Sequence, residues 1–495
     1  MSVQSNDIGL IGLGVMGRNL VLNMADNGFA VAAYNRTSSV TQEFASRLEA
    51  GQQVQPFFSL EDLVGSLKKP RRIMMMVAAG QAVDAVIGEV EPLLEPGDVI
   101  IDGGNSHFAD TARRGEALEA KAIHLLGVGI SGGGFGARHG PSMMPGGQKD
   151  AYESVRPIFE AMAARVNDTP CVAYLGPRGA GHYVKTVHNG IEYSIMQLIG
   201  ETYALMKEGK GFTNEQLADI YAEWDAAELK SYLVEITSQI FRRRDEKTGG
   251  YVVDSILGEA EQHGTGMWTS QSAMDLHVPV PNIDIAVAMR NLSALEEERK
   301  TAAQLLRPAR ATAGTGLSRS SNAEAAEGVG DLPVNSLRNA LYAALIITYA
   351  QGFAQLQTAS KALEFDLRLD DVAAIWRGGC IIRSVLLNEI RTIFERHHEL
   401  SNLMLDPEVS RGIISRRPDL ARTVAAGVHS GIPVPGMMAA LAYLDAYRAE
   451  WLPLNLIQAQ RDYFGSHTYR RIDEAGSFHT DWLSPEGGEE KREQG

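Results

Sequence analysis

A helical stretch early in the second third of the chain carries four polar residues on one face: Lys185, His188, Asn189 and Glu192. At about 100° per residue they share an arc of roughly 100°, and the lysine and the glutamate lie ~10 Å apart along the axis. These two side chains act as a base and an acid near neutral pH only when burial and neighbouring charges shift their pKa values. The stripe therefore predicts either an acid–base site or a solvated helix face.

Two features of the same stretch favour the acid–base site. The helix follows the turn Gly179–Ala180–Gly181, and it contains Gly190. A glycine inside a helix costs ~1 kcal/mol relative to alanine, so its presence indicates that another part of the molecule approaches closely. We therefore expect this face to line a catalytic cleft.

A glycine-rich turn near the start of the chain predicts a dinucleotide site. It lies between an apolar run, Ile8–Ile11, and a helical stretch, Val15–Asn27, and reads Gly12, Leu13, Gly14, Val15, Met16 and Gly17. The first glycine permits a tight turn, the second lets a pyrophosphate touch the backbone, and the third lets helix and strand pack closely. The pyrophosphate then meets the free N–H groups of the helix. The alternative is a glycine-rich turn in another kind of α/β protein.

The residues after the second predicted strand indicate which dinucleotide binds. NAD enzymes place a carboxylate there for the ribose 2′-hydroxyl, whereas this chain has Asn35, Arg36 and Thr37. With no acid to repel it, a 2′-phosphate can pair with the Arg36 guanidinium and accept hydrogen bonds from its neighbours. NADP is therefore the predicted cofactor, unless Arg36 is only a solvated loop charge.

The surrounding pattern predicts an α/β part followed by an all-α part. Up to about Gly179, apolar runs (Ile8–Ile11, Ala30–Tyr34, Arg72–Val77, Val99–Asp102, Ile123–Val128) alternate with helical stretches (Val15–Asn27, Val40–Ala50, Gln81–Leu94, Asp110–Lys121). This alternation is typical of βαβ units and a parallel, Rossmann-type sheet. Longer helical patterns follow at Tyr183–Met206, Gln216–Ile240 and Asn335–Ala359. We predict an NADP-binding domain at 1–180, an all-helical domain at 181–449 and a C-terminal tail at 450–495.

Two segments lack such periodicity. Arg307–Asp331 is rich in Ala, Gly and Ser, and we expect an exposed loop there. Pro453 interrupts the last long helical pattern, and Glu486–Gly495 is expected to be a mobile polar tail.

Composition excludes several classes of partner. The 495 residues are 44% hydrophobic and 22% charged, and 46 basic against 61 acidic residues give a net charge of −15. This charge disfavours binding to nucleic acid or anionic membranes, so an anionic ligand needs a local cluster of cations. Two cysteines, Cys171 and Cys380, are too few for a disulfide framework. No apolar run is long enough to span a membrane, and Met1–Asp7 has no signal-peptide layout, so we expect a cytoplasmic protein.

The helix segment GAGHYVKTVHNGIEY (179–193) closely resembles the signature of the 6-phosphogluconate dehydrogenase family. The resemblance extends in the family's order through IIDGGNS (100–106), ISGGGFGARHGPSMMPGG (130–147), IWRGGCIIRS (375–384) and NLIQAQRDYFGSHTY (455–469). It implies an NADP-dependent oxidative decarboxylation of 6-phosphogluconate to ribulose 5-phosphate and CO2, a step of the pentose phosphate pathway. No metal ion is expected.

The resemblance also implies roles for individual residues. Lys185 takes the proton of the sugar 3-hydroxyl, and Glu192 protonates the enediol at C1. Family positions for binding the substrate are Asn105, Ser131, Gly132, Gly133, His188, Asn189, Tyr193, His263, Thr265, Arg290, Arg461 and His467. The turn Ala78, Ala79 and Gly80 and, again, Asn105 fall at cofactor positions. In the family Arg461 and His467 come from the partner subunit, which implies a homodimer with shared active sites.

Three positions depart from the family pattern. His263 and Met267 stand where the family has lysines around the phosphate, and Ala78 replaces a lysine beside the cofactor. The two losses near the phosphate leave open a related β-hydroxyacid dehydrogenase that acts on another sugar acid. A non-catalytic NADP-binding protein is a further alternative. The retained cations Arg290, Arg461 and His467 argue against the first alternative, and the retained Lys185, Asn189 and Glu192 argue against the second.

Overall fold

A computed structural model describes residues 5–262, 264–306, 328–484 and 488–492 of the chain. The first part forms a seven-stranded sheet in the order β3-β2-β1-β4-β5-β6-β7. Its strands are β1 (Ile8–Ile11), β2 (Val31–Tyr34), β3 (Val54–Phe57), β4 (Arg72–Met75), β5 (Val99–Asp102), β6 (His124–Ser131) and β7 (Ser142–Gly147). The helices between and after them are α1 (Val15–Asp26), α2 (Ser38–Ala45), α3 (Leu60–Gly65), α4 (Gln81–Val90), α5 (Phe108–Glu119), α6 (Gly133–His139) and α7 (Lys149–Met162).

The sheet is parallel except at one edge. Neighbouring strands from β3 to β6 pair in parallel, as the alternation of strands and helices predicts, while β7 pairs antiparallel with β6. The central strands are apolar because helices cover both faces, and side chains such as Leu10, Ile73 and Ile101 are fully buried. The predicted strands and helices are present, although α2 ends at Ala45 rather than Ala50.

The second part is helical, as expected. A short hairpin, β8 (Arg165–Val166) with β9 (Thr169–Pro170), precedes it. The helices are α8 (Ala180–Ala204), α9 (Asn214–Asp225), α10 (Tyr232–Arg242), α11 (Thr265–Asp275), α12 (Pro281–Ser293), α13 (Glu296–Leu305), α14 (Val334–Ala362), α15 (Leu369–Trp376), α16 (Leu386–Arg396), α17 (Pro407–Ser430) and α18 (Pro435–Tyr447). Residues 307–327 of the expected exposed loop lie outside the described residues.

The helical pattern over Gln216–Ile240 belongs to two helices, α9 and α10, rather than to one. The Ser231 hydroxyl accepts a hydrogen bond from the Val234 amide and so caps the start of α10. The Asp225 carboxylate accepts one from the Ser231 amide, which fixes the turn between the helices. Ser and Asp favour such local bonds over helix continuation.

Helix α8 packs directly on the sheet. A Cβ added at Gly181 would collide with the carbonyl oxygens of Met144 and Gly127, and one at Gly129 of β6 would collide with the Lys185 side chain. The backbone of the helix therefore lies against the backbone of β6 and β7. This contact fixes the depth at which α8 presents its polar face.

Contacts divide the chain into two compact units, one ending at Leu441 and one beginning at Ala442. The second unit contains α19 (Leu454–Gly465), preceded by Pro453, and a hairpin of β10 (Ser477–Thr480) and β11 (Glu489–Arg492). The fully buried Asp462 carboxylate accepts hydrogen bonds from the Thr468 and Thr480 amides and from Trp482 Nε1 at 2.8–3.0 Å. These bonds and His479 hold the pKa of Asp462 down, at about 2.

The expectation of a mobile polar tail at 486–495 is wrong for residues 489–492, which form β11. Strand β11 consists of charged residues only, so its sequence has no apolar alternation that would predict a strand. Its backbone pairs with β10. The rest of that segment, apart from Gly488 before the strand, lies outside the described residues. None of the helices in the described ranges is long and apolar enough to cross a membrane.

Candidate active site

The glycine turn after β1 has the packing that its sequence predicts. Gly12 has φ +105°, a value that side chains disfavour, and a Cβ there would collide with the Met76 carbonyl. A Cβ at Gly17 would collide with the Gly12 carbonyl, so the close contact of α1 with the turn requires this glycine. At Gly14 the space within 4 Å is open. The turn thus offers free backbone and the N-terminus of α1, which fits a pyrophosphate group.

Of the residues after β2, Asn35 has a structural role, whereas Arg36 is exposed. The Asn35 side-chain oxygen accepts a hydrogen bond from the Leu13 amide at 3.1 Å, so Asn35 ties the loop to the glycine turn. Arg36 is exposed and forms no ion pair with any described residue. A free guanidinium at this place fits a 2′-phosphate.

Lys185 occupies the buried side of α8. The side chain is 6% exposed and rests against Gly129 of β6. Burial lowers the pKa of Lys185, because the charged ammonium loses its hydration, and Glu192 opposes this shift only in part. A larger fraction of the lysine is therefore neutral near pH 7 than in water, as a general base requires.

Glu192 lies on the same face, two turns further along α8. Burial raises the pKa of Glu192, while the charges of Lys185 and Arg290 lower it less. A raised pKa keeps a carboxyl group protonated at higher pH, as a general acid requires. The two groups thus have the shifts that the acid–base hypothesis needs.

His188 connects α8 to the loop after β6. The ring Nε2 lies 3.2 Å from the Ser131 hydroxyl, and Nδ1 lies 3.1 Å from the side-chain oxygen of Asn189. His188 is fully buried, and burial together with the Lys185 charge lowers its pKa well below the usual value. A neutral His188 can orient Ser131 and Asn189 without adding charge.

The glycine loop after Ser131 is held by the segment 375–384. Gly132 has φ +119°, and a Cβ there would collide with the Gly379 carbonyl. The Ile381 amide donates to the Ser131 hydroxyl at 3.3 Å, and the Gly379 carbonyl accepts from the Ser142 amide at 2.9 Å. The motif at 375–384 therefore fixes the loop Ser131–Gly133 from behind.

A cavity of about 740 Å³ opens over the exposed end of this face. Its lining includes the predicted residues Ala78, Ala79, Gly80, Asn105, Asn189, Glu192, Tyr193, Thr265 and Arg290. The Arg290 guanidinium carbon lies 3.4 Å from the centre of the Tyr193 ring, a cation–π contact that holds the cation at the cavity wall. The structure thus brings the turn Ala78–Gly80, Asn105, the Glu192 carboxyl group and the Arg290 guanidinium to one space.

Five further lining residues were not predicted: Val77, His107, Asp110, Glu261 and Trp268. The His107 ring packs edge-on against the Trp268 ring at 5.1 Å between centres, and its Nδ1 accepts from the Ala109 amide as the cap of α5. Trp268 ends the segment HGTGMW (263–268), and the resemblance of this segment to the family could have indicated Trp268 as a site residue. His107, Asp110 and Glu261 carry no local pattern, because only the fold brings them to the cavity.

The predicted residues Lys185, His188, Ser131, Gly132 and Gly133 do not line this cavity. His263 is outside the described residues. Arg461 and His467 belong to the second compact unit and are exposed there, with Arg461 donating to the Gln458 side chain at 3.1 Å. In the described part of the chain, no cluster of three His, Cys, Asp or Glu residues could hold a metal ion.

Comparisons of the sequence with known proteins cover both parts of the chain. The NAD binding domain of 6-phosphogluconate dehydrogenase matches residues 7–176, and the 6-phosphogluconate dehydrogenase C-terminal domain matches residues 181–482. The NADP(+)-dependent, decarboxylating 6-phosphogluconate dehydrogenase of Bacillus subtilis (strain 168) is 48% identical, covering 97% of this chain and 100% of the relative. The decarboxylating 6-phosphogluconate dehydrogenase of Escherichia coli (strain K12) is 47% identical with the same coverage.

A solved structure supports the same assignment. The 6-phosphogluconate dehydrogenase of Plasmodium falciparum, described in its apo form and in complexes with NADP+ and with 6-phosphogluconate, superimposes with a TM-score of 0.89 at 42% identity. The match covers 96% of this chain and 100% of the Plasmodium chain. With both parts of the sequence and the fold in agreement, this chain belongs to the 6-phosphogluconate dehydrogenase family.

Proposed function

We propose that this chain catalyses the oxidative decarboxylation of 6-phospho-D-gluconate to D-ribulose 5-phosphate and CO2, with reduction of NADP to NADPH. The observation that carries the proposal is the pair Lys185 and Glu192 on one face of α8, with pKa values shifted toward a neutral base and a protonated acid. The chain is 47–48% identical to relatives that carry this name.

The roles of the residues follow from their positions. Neutral Lys185 accepts the proton of the substrate 3-hydroxyl as C3 is oxidised. The turn Gly12–Gly17 and Arg36 would hold NADP, which when bound would accept the hydride from C3. Oxidation at C3 makes a β-keto acid, which loses CO2 while the Lys185 ammonium returns its proton to the C3 oxygen. Glu192 then donates a proton to C1 of the resulting enediol as Lys185 takes the hydroxyl proton back, which leaves the ketone. Asn105, Asn189 and Ser131, with His188 behind it, orient the sugar hydroxyls and the carboxylate.

The phosphate end of the substrate is assigned to the cations and hydroxyls around the cavity. Arg290, Tyr193 and Thr265 lie at its wall. We infer that Arg461 and His467 of the partner subunit complete this end in a homodimer with shared active sites. A chain with a net charge of −15 needs such a local cluster to hold a phosphate dianion.

The test is NADPH formation by the purified protein with 6-phosphogluconate, with gluconate as the matched control that lacks only the phosphate. We expect NADPH and CO2 in equal amounts from 6-phosphogluconate and little turnover of gluconate. Equal turnover of the two acids would favour the alternative of a dehydrogenase for another sugar acid. NADPH formation without CO2 would contradict the decarboxylating mechanism.

A further inference from the structure

A buried arginine outside the predicted site joins two of the turns that line the cavity. Arg114 lies on α5 and is 3% exposed. Its Nε and Nη2 each donate to the Asp84 carboxylate at 2.8 Å, and Nη2 also donates to the Gly80 carbonyl at 3.0 Å. Gly80 ends the cofactor turn Ala78–Gly80, and Asp84 lies in the first turn of α4. One end of the guanidinium is therefore fixed to the cofactor turn.

The other end of the guanidinium faces the turn after β5. Nη1 of Arg114 lies 4.0 Å from Oδ2 of Asp102, a fully buried carboxylate. Asp102 organises the turn that follows it, since Oδ1 accepts from the Gly104 amide at 3.0 Å and Oδ2 accepts from the Ser106 hydroxyl at 2.6 Å. This turn presents Asn105 to the cavity.

The two turns are also in direct contact. A Cβ at Gly104 would lie 3.0 Å from the Val77 carbonyl, so the strand ends approach each other with no side chain between them. The Gly103 amide donates to the Met75 carbonyl at 3.0 Å. The two turns are therefore packed directly against each other, and the contact between Arg114 and Asp102 lies behind them.

We propose that Arg114 is a positioning residue that fixes the cofactor turn Ala78–Gly80 relative to the Gly103–Asn105 turn, and so sets the distance between the nicotinamide side and the substrate side of the cavity. This inference rests on the proposed function for its kinetic consequence. Its structural core, the coupling of two turns through one guanidinium, does not depend on the identity of the substrate.

The preceding residue provides a matched control. Arg113 donates to the same Asp84 carboxylate at 3.0 Å, but its side chain is 59% exposed and makes no bond to Gly80 or Asp102 in the described structure. Arg113→Met and Arg114→Met therefore remove the same charge and one partner of the same carboxylate. Only the second removes the connection between the turns.

The experiment measures hydrogen exchange of the free protein and steady-state kinetics for three variants. In Arg114→Met we expect faster exchange in peptides covering both turns, and a KM for NADP raised about tenfold, as for one lost charged hydrogen bond. Arg114→Lys should recover part of this loss, because an ammonium can reach Asp84 but cannot make the paired bonds. Arg113→Met should stay within about twofold of the unmodified protein.

Each other outcome bears on the proposal. Equal kinetics and equal exchange for Arg113→Met and Arg114→Met would overturn it, as would a lower melting temperature for Arg114→Met with unchanged KM and kcat. If Arg114→Met does not fold, Arg114→Lys decides, and an unchanged KM for NADP in that variant would overturn the proposal. If the unmodified protein forms no NADPH from 6-phosphogluconate, the proposed function fails, while the exchange data still test the coupling of the turns.

Discussion

Burial shifts the pKa values of Lys185 and Glu192 in opposite directions, downward for the lysine and upward for the glutamate. Burial disfavours whichever form is charged, so one environment favours the neutral form of the base and the protonated form of the acid. Activity requires both forms at once. We therefore expect kcat to fall in acid, as Lys185 gains a proton, and in alkali, as Glu192 loses one, with apparent pKa values that belong to the pair.

Two substitutions separate the acid and alkaline limbs of this pH profile of kcat. Glu192→Gln should slow turnover by roughly 10²–10⁴, the usual contribution of one acid–base group. Its profile should rise with pH to a plateau and lose the alkaline limb, because only the base then titrates. Lys185→Met should abolish hydride transfer at every pH. The measurement is kcat for 6-phosphogluconate at acid, neutral and alkaline pH. Near-native rates in Lys185→Met would contradict the assignment of the base.

We expect the choice between NADP and NAD to depend on Arg36. Arg36 is exposed and has no ion-pair partner among the described residues. Arg36→Glu places a carboxylate against the 2′-phosphate, and we expect the KM for NADP to rise roughly 10- to 100-fold while the KM for NAD changes little.

The control for Arg36→Glu is Arg47→Glu. Arg47 is exposed and pairs with Glu43 at 2.8 Å, so the variant changes the net charge equally but away from the strand end. Equal losses with NADP and NAD in Arg36→Glu, or equal effects of the two variants, would show that Arg36 does not bind the phosphate.

At the scale of elements, the glycines of α8 predict opposite effects of the same substitution. A Cβ at Gly190 would lie 2.6–2.8 Å from Thr269 side-chain atoms of α11, whereas nothing lies within 4 Å of a Cβ at Gly200. Gly190→Ala should lower the free energy of unfolding by about 1–3 kcal/mol through overpacking. Gly200→Ala should raise it by up to about 1 kcal/mol, because alanine favours the helix.

Denaturant unfolding of both variants gives the comparison. Adding Thr269→Ser to Gly190→Ala removes the methyl group in the contact but keeps the hydroxyl that donates to the Thr186 carbonyl, so part of the stability should return. A neutral Gly190→Ala would mean that α11 can shift away from α8 without cost.

The elements with clear side-chain periodicity were predictable from sequence, and those held by backbone alone were not. Strand β1, α1 and α8 follow from apolar spacing and from the glycine turn. Strand β7 consists of Ser142, two methionines, Pro145 and two glycines, all buried, so its sequence shows no alternation of apolar and polar residues. Strand β3 contains Pro56, which weakens any strand prediction and is tolerated because β3 is an edge strand.

The candidate site divides in the same way. Lys185 and Glu192 were predictable because helix geometry places them on one face and the family resemblance implies their roles. His107, Asp110 and Arg114 come from α5 and its cap, and their relation to the cavity depends on how α5 packs beside β6. That packing is a property of the tertiary fold, so no local pattern marks these residues.

At the scale of the whole molecule, the proposed homodimer predicts complementation between inactive chains. Lys185→Met and Arg461→Ala chains, mixed and allowed to exchange subunits, should regain activity. In a mixed dimer the site built on an intact Lys185 receives an intact Arg461 from the other chain. The readout is NADPH formation before and after exchange, with dimer exchange verified by mass. If activity does not return although subunit exchange is verified, Arg461 serves the active site of its own subunit.

The backbone-to-backbone contact of α8 with β6 and β7 has a consequence for recombination between relatives. A crossover near residue 180 looks natural, since the sheet ends and the helices begin there. With that crossover, Gly181 would come from one parent and the Met144 and Gly127 carbonyls that it contacts from the other. The same holds for Lys185 and Gly129. Chimeras that carry 124–147 and 180–204 from one parent should keep the base and the acid at their depth, whereas chimeras divided at 180 inherit a mismatched surface.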